Sequence, residues 1–388
     1  MRRSGFPSLW EGTKGWVFLL CSLIASPALA DFKPIPLSST AVASGAQVTF
    51  DKGIEFVTIG SAGNAPWPGN GTSGDRAVGR GSVAYEYKIG RFEVTTSQWV
   101  SFFNAAYDRP STDWLPHLSP PGHWGAVPIT PNTATGRRWA VPTGNEMIPV
   151  GNISWRMAAM YANWLHNDQS SDRNAFLNGA YDVSTFTFTP AGRFRDQLTH
   201  NPGAKFWVPT WDEWLKAAHF DPNKAGAAEG GTGVSQWWNY STTSEIAPIP
   251  GAPGTLNNGF VAQANFAFSS PNPFAISLGA YPTVQSPWGL LDTSGATGEW
   301  TEEALFSGIP GEAFPVDRVY DGSWWVDGSA LSDTPRGRSS AFPSYSAFDL
   351  GFRLAAAVVP GPSCIPIVAL GMLAATRRRR RVALQSAL

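Results

Sequence analysis

The chain has 388 residues, 28 basic and 29 acidic side chains, a formal net charge of −1 and two cysteines. Cys21 and Cys364 lie near the two ends, so the body between them has no thiol for nucleophilic attack, metal binding or a disulfide. Setting aside residues 1–30 and 358–388 removes eight basic residues and one acidic, leaving 20 against 28. A body at −8 excludes nucleic acid as a partner, because phosphate binding needs clustered Lys and Arg.

The first thirty residues read as a signal peptide for the Sec route. Arg2, Arg3 and Lys14 precede an apolar run over residues 16–25, and Ala28-x-Ala30 closes it. The run is too short to span a bilayer comfortably. Residues 31–357 then form one domain with no charged or low-complexity linker inside it. Its 40 Gly, 32 Pro and 18 Trp in the whole chain, against 15% charged residues, point to an irregular, loop-rich α+β fold. Tryptophans packed over backbone are expected to hold the loops, with indole N–H groups bonded to carbonyls.

Within the body, short strands are expected in "IEFVTIG" and "VAYEYKIGRFEV". Thr95 with Gln98 makes a capping box for a first helix, whose Trp99, Phe102, Phe103 and Ala106 share one face. Ser154 caps a second helix, with Trp155, Ala158, Ala159, Ala162 and Leu165 inward. Thr210 and Glu213 make a second capping box for a third, which Pro222 follows. "LGFRLAAAVV" is the expected last strand. Beyond it, Pro360-x-Pro362 precedes an apolar stretch over residues 365–375 and the five arginines 377–381, an apolar run with a basic stop.

Seven blocks in order carry a family resemblance: "FVTIG", "YEYKIGRFEVTTSQWVSFFNA", "PVGNISWRMAAMYANWLHN", "FWVPTWDEWLKAA", "SPWGLLDTSGATGEWTE", "DGSW" and "GFRLA". Together, over residues 56–355, they resemble the sulfatase-modifying-factor family, whose namesake is the formylglycine-generating enzyme. The resemblance implies a C-type-lectin-like core. The C-terminal segment resembles the PEP-CTERM sorting signals of exported bacterial proteins, with Gly361 where that signal usually has Glu. Export, and residence in the cell envelope, at the cell surface or in extracellular matrix, follow as expectations. Membrane contact is expected through the tail alone.

The namesake oxidises a peptide cysteine with a copper ion held by two cysteines, at the second and seventh positions after a Gly-Ser-Trp turn. Here the turn is Gly322-Ser323-Trp324, so those seats hold Val326 and Leu331. Neither side chain has a donor atom, and Cu(I) selects thiolates, so no copper is expected. The His-x3-His-x-Glu pattern of the family's non-haem iron members is absent. The one close histidine pair, His117 and His123, reads as loop packing. The resemblance also implies structural Ca2+ at two sites, one with Asn265 and the Phe266 carbonyl as candidate ligands, the other with Glu299. Ala296 stands where the family has an Asn ligand, and Glu299 reads equally well as a buried acceptor for loop amides.

Two functions remain open. One is a non-catalytic binding module, a pseudoenzyme, whose partner is a surface protein, a peptide or an exopolysaccharide. Trp325, Arg336, Arg338 and Tyr345 are its candidate contacts, with Phe348 nearby; Trp324, also an aromatic candidate, is expected in the core because the Gly-Ser-Trp turn recurs as scaffold. Arg353 is expected to pair with a carboxylate under the last strand. The alternative is a divergent formylglycine-generating-type or non-haem iron oxidoreductase acting on a protein or small thiol.

Overall fold

A computed structural model of the chain describes residues 47–129, 138–224, 236–268, 272–309 and 312–358. The expected signal peptide and the sorting segment beyond residue 358 lie outside the described residues. Among the described residues, no helix is long and apolar enough to cross a membrane.

The chain enters through a hairpin, β1 (Val48–Asp51) and β2 (Ile54–Ile59), closed by Lys52 and Gly53. Both turn residues have positive φ, 49° and 80°, the geometry whose twist matches a two-residue hairpin. Strand β3 (Tyr87–Gly90) pairs with β2 and leads into α1 (Thr96–Tyr107). The Thr95–Gln98 capping box is formed on both sides, as the sequence predicts. A ribbon of two short strands follows, β4 (Val127–Pro128) and β5 (Trp139–Ala140), then α2 (Trp155–His166), capped by Ser154, and α3 (Arg173–Leu177). Next come β6 (Phe206–Trp207) and α4 (Trp211–His219), which carries the Thr210–Glu213 capping box.

Past a small ribbon of β7 (Leu256–Asn257) and β8 (Phe260–Val261), a second sheet is built from β9 (Gly298–Leu305), β10 (Asp317–Asp321), β11 (Ser339–Ala341) and β12 (Leu350–Gly351). Its order is β11-β10-β9-β12, antiparallel except where β12 runs parallel to β9. The last strand, β13 (Ala355–Ala357), leaves that sheet and inserts between β3 and β6, giving the first sheet the order β1-β2-β3-β13-β6. The single strand expected in "LGFRLAAAVV" is therefore two. It breaks at residues 352–354, where buried Arg353 passes from one sheet to the other. The fold is α+β, loop-rich and C-type-lectin-like.

The core lies between the first sheet and helices α1 and α2. Trp99 stacks on Tyr161 at 5.6 Å, and Phe102 meets the same ring edge-on. A second cluster gathers Trp67, Trp211, Trp214 and Trp237 around α4. Their indoles correct one expectation. Trp67, Trp207, Trp211, Trp214 and Trp238 donate to carboxylates (Asp75, Glu213, Asp321, Glu299 and Asp221), whereas Trp237 and Trp300 reach carbonyls. Where the carboxylate is buried, as at Glu213, Asp321 and Glu299, the indole N–H replaces water it has lost, so acid and Trp are buried as pairs.

Candidate functional site

The turn Gly322-Ser323-Trp324 follows β10 directly. Gly322 has φ +82°, a conformation that L side chains rarely adopt. Asp321 accepts from the Gly322 amide at 2.9 Å and from the Trp211 indole at 2.6 Å. Asp333, ten residues on, accepts from the Ser323 amide at 3.0 Å and from the Ser294 hydroxyl at 2.7 Å. The Ser323 hydroxyl in turn accepts the Gly295 amide at 2.7 Å, which ties the turn to the loop before β9. Burial pushes the Asp321 carboxyl up to about 8 and the Asp333 carboxyl up to about 7, against hydrogen bonds that pull the other way. These two carboxyls are the frame of the site.

On that frame the two residues expected at the copper seats face outward. Val326 is 52% exposed and Leu331 46% exposed. Tyr345 is 40% exposed, and Phe342 and Phe348 are exposed as well, with Phe342 and Tyr345 edge-to-face at 5.6 Å. Trp325 is not a surface contact. Its side chain is fully buried against Phe274, Leu278 and Ala296, while its neighbour Trp324 keeps partial exposure. The Trp325 amide donates to the Ala296 carbonyl at 2.9 Å, and this bond turns the second indole of the pair inward. Arg336 and Arg338 are half-buried on the loop before β11. The Arg338 guanidinium lies 5.0 Å from the centre of the Trp211 ring.

Arg353 finds its expected carboxylate, and it is Glu299. The guanidinium forks onto both Glu299 oxygens at 2.5 Å, and the Trp214 indole donates to one of them at 2.9 Å. Both partners are shut off from water. Glu299 is thereby unsuited to a calcium ion, since a guanidinium already neutralises both of its oxygens. Asn265 retains a buried side-chain oxygen with no partner, while its amide nitrogen donates to the Pro273 carbonyl at 3.0 Å. Asn265 and Phe266 belong to one expected cation site and Glu299 to the other, so the Arg353 pair bears on the second alone. Among the described residues, no group of three His, Cys, Asp or Glu side chains could hold a metal.

His123 packs face-on against Phe274 at 4.8 Å and edge-on against Phe348, as a loop-packing residue would. His117 meets Phe186 edge-on. Sequence reading missed His200. Its Nδ1 lies 3.1 Å from buried Glu302, and its ring stacks on Trp207 at 4.6 Å. It also missed Arg318, which is sandwiched 3.8 Å from Trp155 and 5.0 Å from Phe194 and donates to three backbone carbonyls. An Arg or His in a strand or loop pattern gives no signal of such burial.

A model of the sulfatase-modifying factor enzyme 1-like domain matches residues 57–358. No curated protein matches the chain. Among solved structures, the chain is similar to one reported as the crystal structure of CarF, at 19% identity and TM-score 0.48, covering 79% of this chain and 99% of that one. It is similar to Treponema denticola variable protein 1 at 20% identity and TM-score 0.46, covering 81% and 99%. PvdO from Pseudomonas aeruginosa follows at 15% identity and TM-score 0.41, covering 80% and 98%. At such identities none of the three bears on what this chain does.

Proposed function

The chain belongs to the sulfatase-modifying factor enzyme 1-like family, and from that premise we propose that it keeps the family's frame for binding instead of oxidation. On this reading it is an exported protein of the cell surface or extracellular matrix. It binds a polysaccharide there, and its tail serves as a sorting signal. The observation that carries the reading is the face after the Gly-Ser-Trp turn. Val326 and Leu331, which the resemblance puts in the seats of the copper cysteines, are exposed, and so are the rings of Phe342, Tyr345 and Phe348 further along the chain. Rings at this exposure offer apolar faces to a sugar at small entropic cost, and a rigid frame beneath them presents loops without needing chemistry. Tyr345, Arg336 and Arg338 are the proposed contacts. The buried Trp325 is withdrawn from that role and supports the loop from below.

Metal analysis and oxygen uptake test the reading together. The purified protein should carry no stoichiometric copper or iron and consume no oxygen with a cysteine peptide. Stoichiometric metal with thiol-dependent oxygen uptake would establish the oxidoreductase alternative in its place. Pull-down on matrix polysaccharide should weaken when Tyr345 is replaced by Ala.

A further inference from the structure

We propose that Arg338, held on the Trp211 platform, and Arg336 two residues before it form an oxyanion-binding site, and that the polysaccharide bound there is acidic, bearing uronate carboxylates. The proposal rests on the binding reading above and names the ligand class of the same face.

The first support is how the other arginines are used. Several guanidinium groups of the body have carboxylates close by, Arg80 with Asp212 and Glu303, Arg91 with Glu55, Arg156 with Asp196, Arg193 with Glu312 and Arg353 with Glu299, while Arg318 donates to backbone carbonyls instead. Among the described residues, Arg336 and Arg338 have no carboxylate within ion-pair distance, and the Nε of each is shielded from water without an acceptor. A buried donor left unmade is costly, and a charged one more so, so two on one loop call for an acceptor from outside.

The second support is that both are held in place. The segment Thr334-Pro335-Arg336-Gly337 closes on itself through the Gly337 amide and the Thr334 carbonyl at 2.8 Å. A Cβ at Gly337 would sit 2.2 Å from the Leu331 carbonyl oxygen, so this tight seating on residues 331–332 requires glycine. Arg338 then stacks on Trp211, whose own indole N–H is fixed by Asp321. Arg80 takes another approach to the same ring at 4.9 Å, but its guanidinium is fully engaged by Asp212 and Glu303. The carboxyls that act on Arg338 electrostatically are Glu303 and Asp321, and both are committed elsewhere, while Arg76 and Arg80 repel it. The local excess is positive, and a stacked, preorganised guanidinium suits bidentate recognition of a carboxylate.

The third support is what adjoins the arginines. Strand β11 (Ser339–Ala341) links Arg338 to Phe342, about 13 Å at the rise of an extended chain, and Phe342 pairs with Tyr345. Cations at one end and open rings at the other match a polymer that alternates carboxylates with apolar sugar faces.

Calorimetric titration of the purified protein with a galacturonate oligomer, a neutral galactose oligomer of equal length and a polyglutamate peptide tests this. The galacturonate oligomer should bind with a salt-dependent affinity. The double variant Arg336→Gln/Arg338→Gln should lose about tenfold or more, and Arg338→Lys should not restore it. The double variant should melt no lower than the parent, since it removes unpaired donors, and this separates lost recognition from lost folding. Equal binding of the neutral oligomer, indifferent to the arginines but weakened by Tyr345→Ala, would overturn the anion site while leaving the binding surface standing. Binding of polyglutamate through the arginines without galacturonate would overturn the polysaccharide assignment. Binding of none of the three probes would overturn both the anion site and the binding reading.

Discussion

Replacing Arg353 by Met should be among the most damaging single changes in the molecule. The guanidinium is fully buried and makes two 2.5 Å bonds to Glu299, with further bonds to the carbonyls of Gly90 at 3.0 Å, Arg91 at 3.2 Å and Leu291 at 3.2 Å. Without it, Glu299 is a buried charge beside Glu93, whose carboxyl burial and Glu299 already hold well above the usual range. Removing one member of a buried pair costs about 3–5 kcal/mol, a large share of the roughly 5–15 kcal/mol that holds a domain folded. Urea denaturation of the parent, Arg353→Met and Arg353→Met/Glu299→Gln measures it. The double variant should recover about half of the loss or more, because the stranded charge is gone. A single-variant loss under about 1 kcal/mol, or a double variant no better than the single, refutes the account of Glu299 as a charge held by Arg353.

Asp333 has a folded carboxyl at about 7, raised by burial, so the folded state holds a proton that the unfolded state releases near pH 4. Its contribution favours folding at low pH and is lost as pH rises through about 7, so Asp333→Asn should flatten the fall of melting temperature between about pH 4 and 7; an unchanged slope counts against the burial argument. His200 runs differently: burial works against its charge, yet Glu302 outweighs burial and raises it. That pair stabilises fully below the unfolded value near 6.5 and fades as pH rises through the folded one, so His200→Gln should remove this fade and leave the slope below pH 6 alone. Because Glu299 is taken by Arg353, a chelator should leave the melting temperature within about 1 °C, and a larger drop would show a stabilising cation.

The helices were legible because their signals are local. Thr95 with Gln98 and Thr210 with Glu213 satisfy backbone amides within one turn, and the inward faces follow from helical period alone. Trp324 and Trp325 show where such reasoning stops. Adjacent indoles after one turn have the same composition signal, and only the bond from the Trp325 amide to Ala296, across 29 residues, decides which one is buried. The break in the last strand was equally hidden, since each half pairs with a segment far away in sequence. Glu299 could be read as calcium ligand or as acceptor; its partner lies 54 residues on, and pairing at that range leaves no periodic trace.

The position of β13 has a consequence for the order of events in making the protein. Its three residues are the only link between β3 and β6 in the first sheet, and they come at the end of the described chain. Until they arrive, β6 has no strand beside it, and the arginine just before them cannot reach Glu299. Contacts that close over hundreds of residues form slowly. An emerging chain therefore waits in an open form until nearly its whole length is available, and a product cut short before Ala355 would lack the piece that locks it.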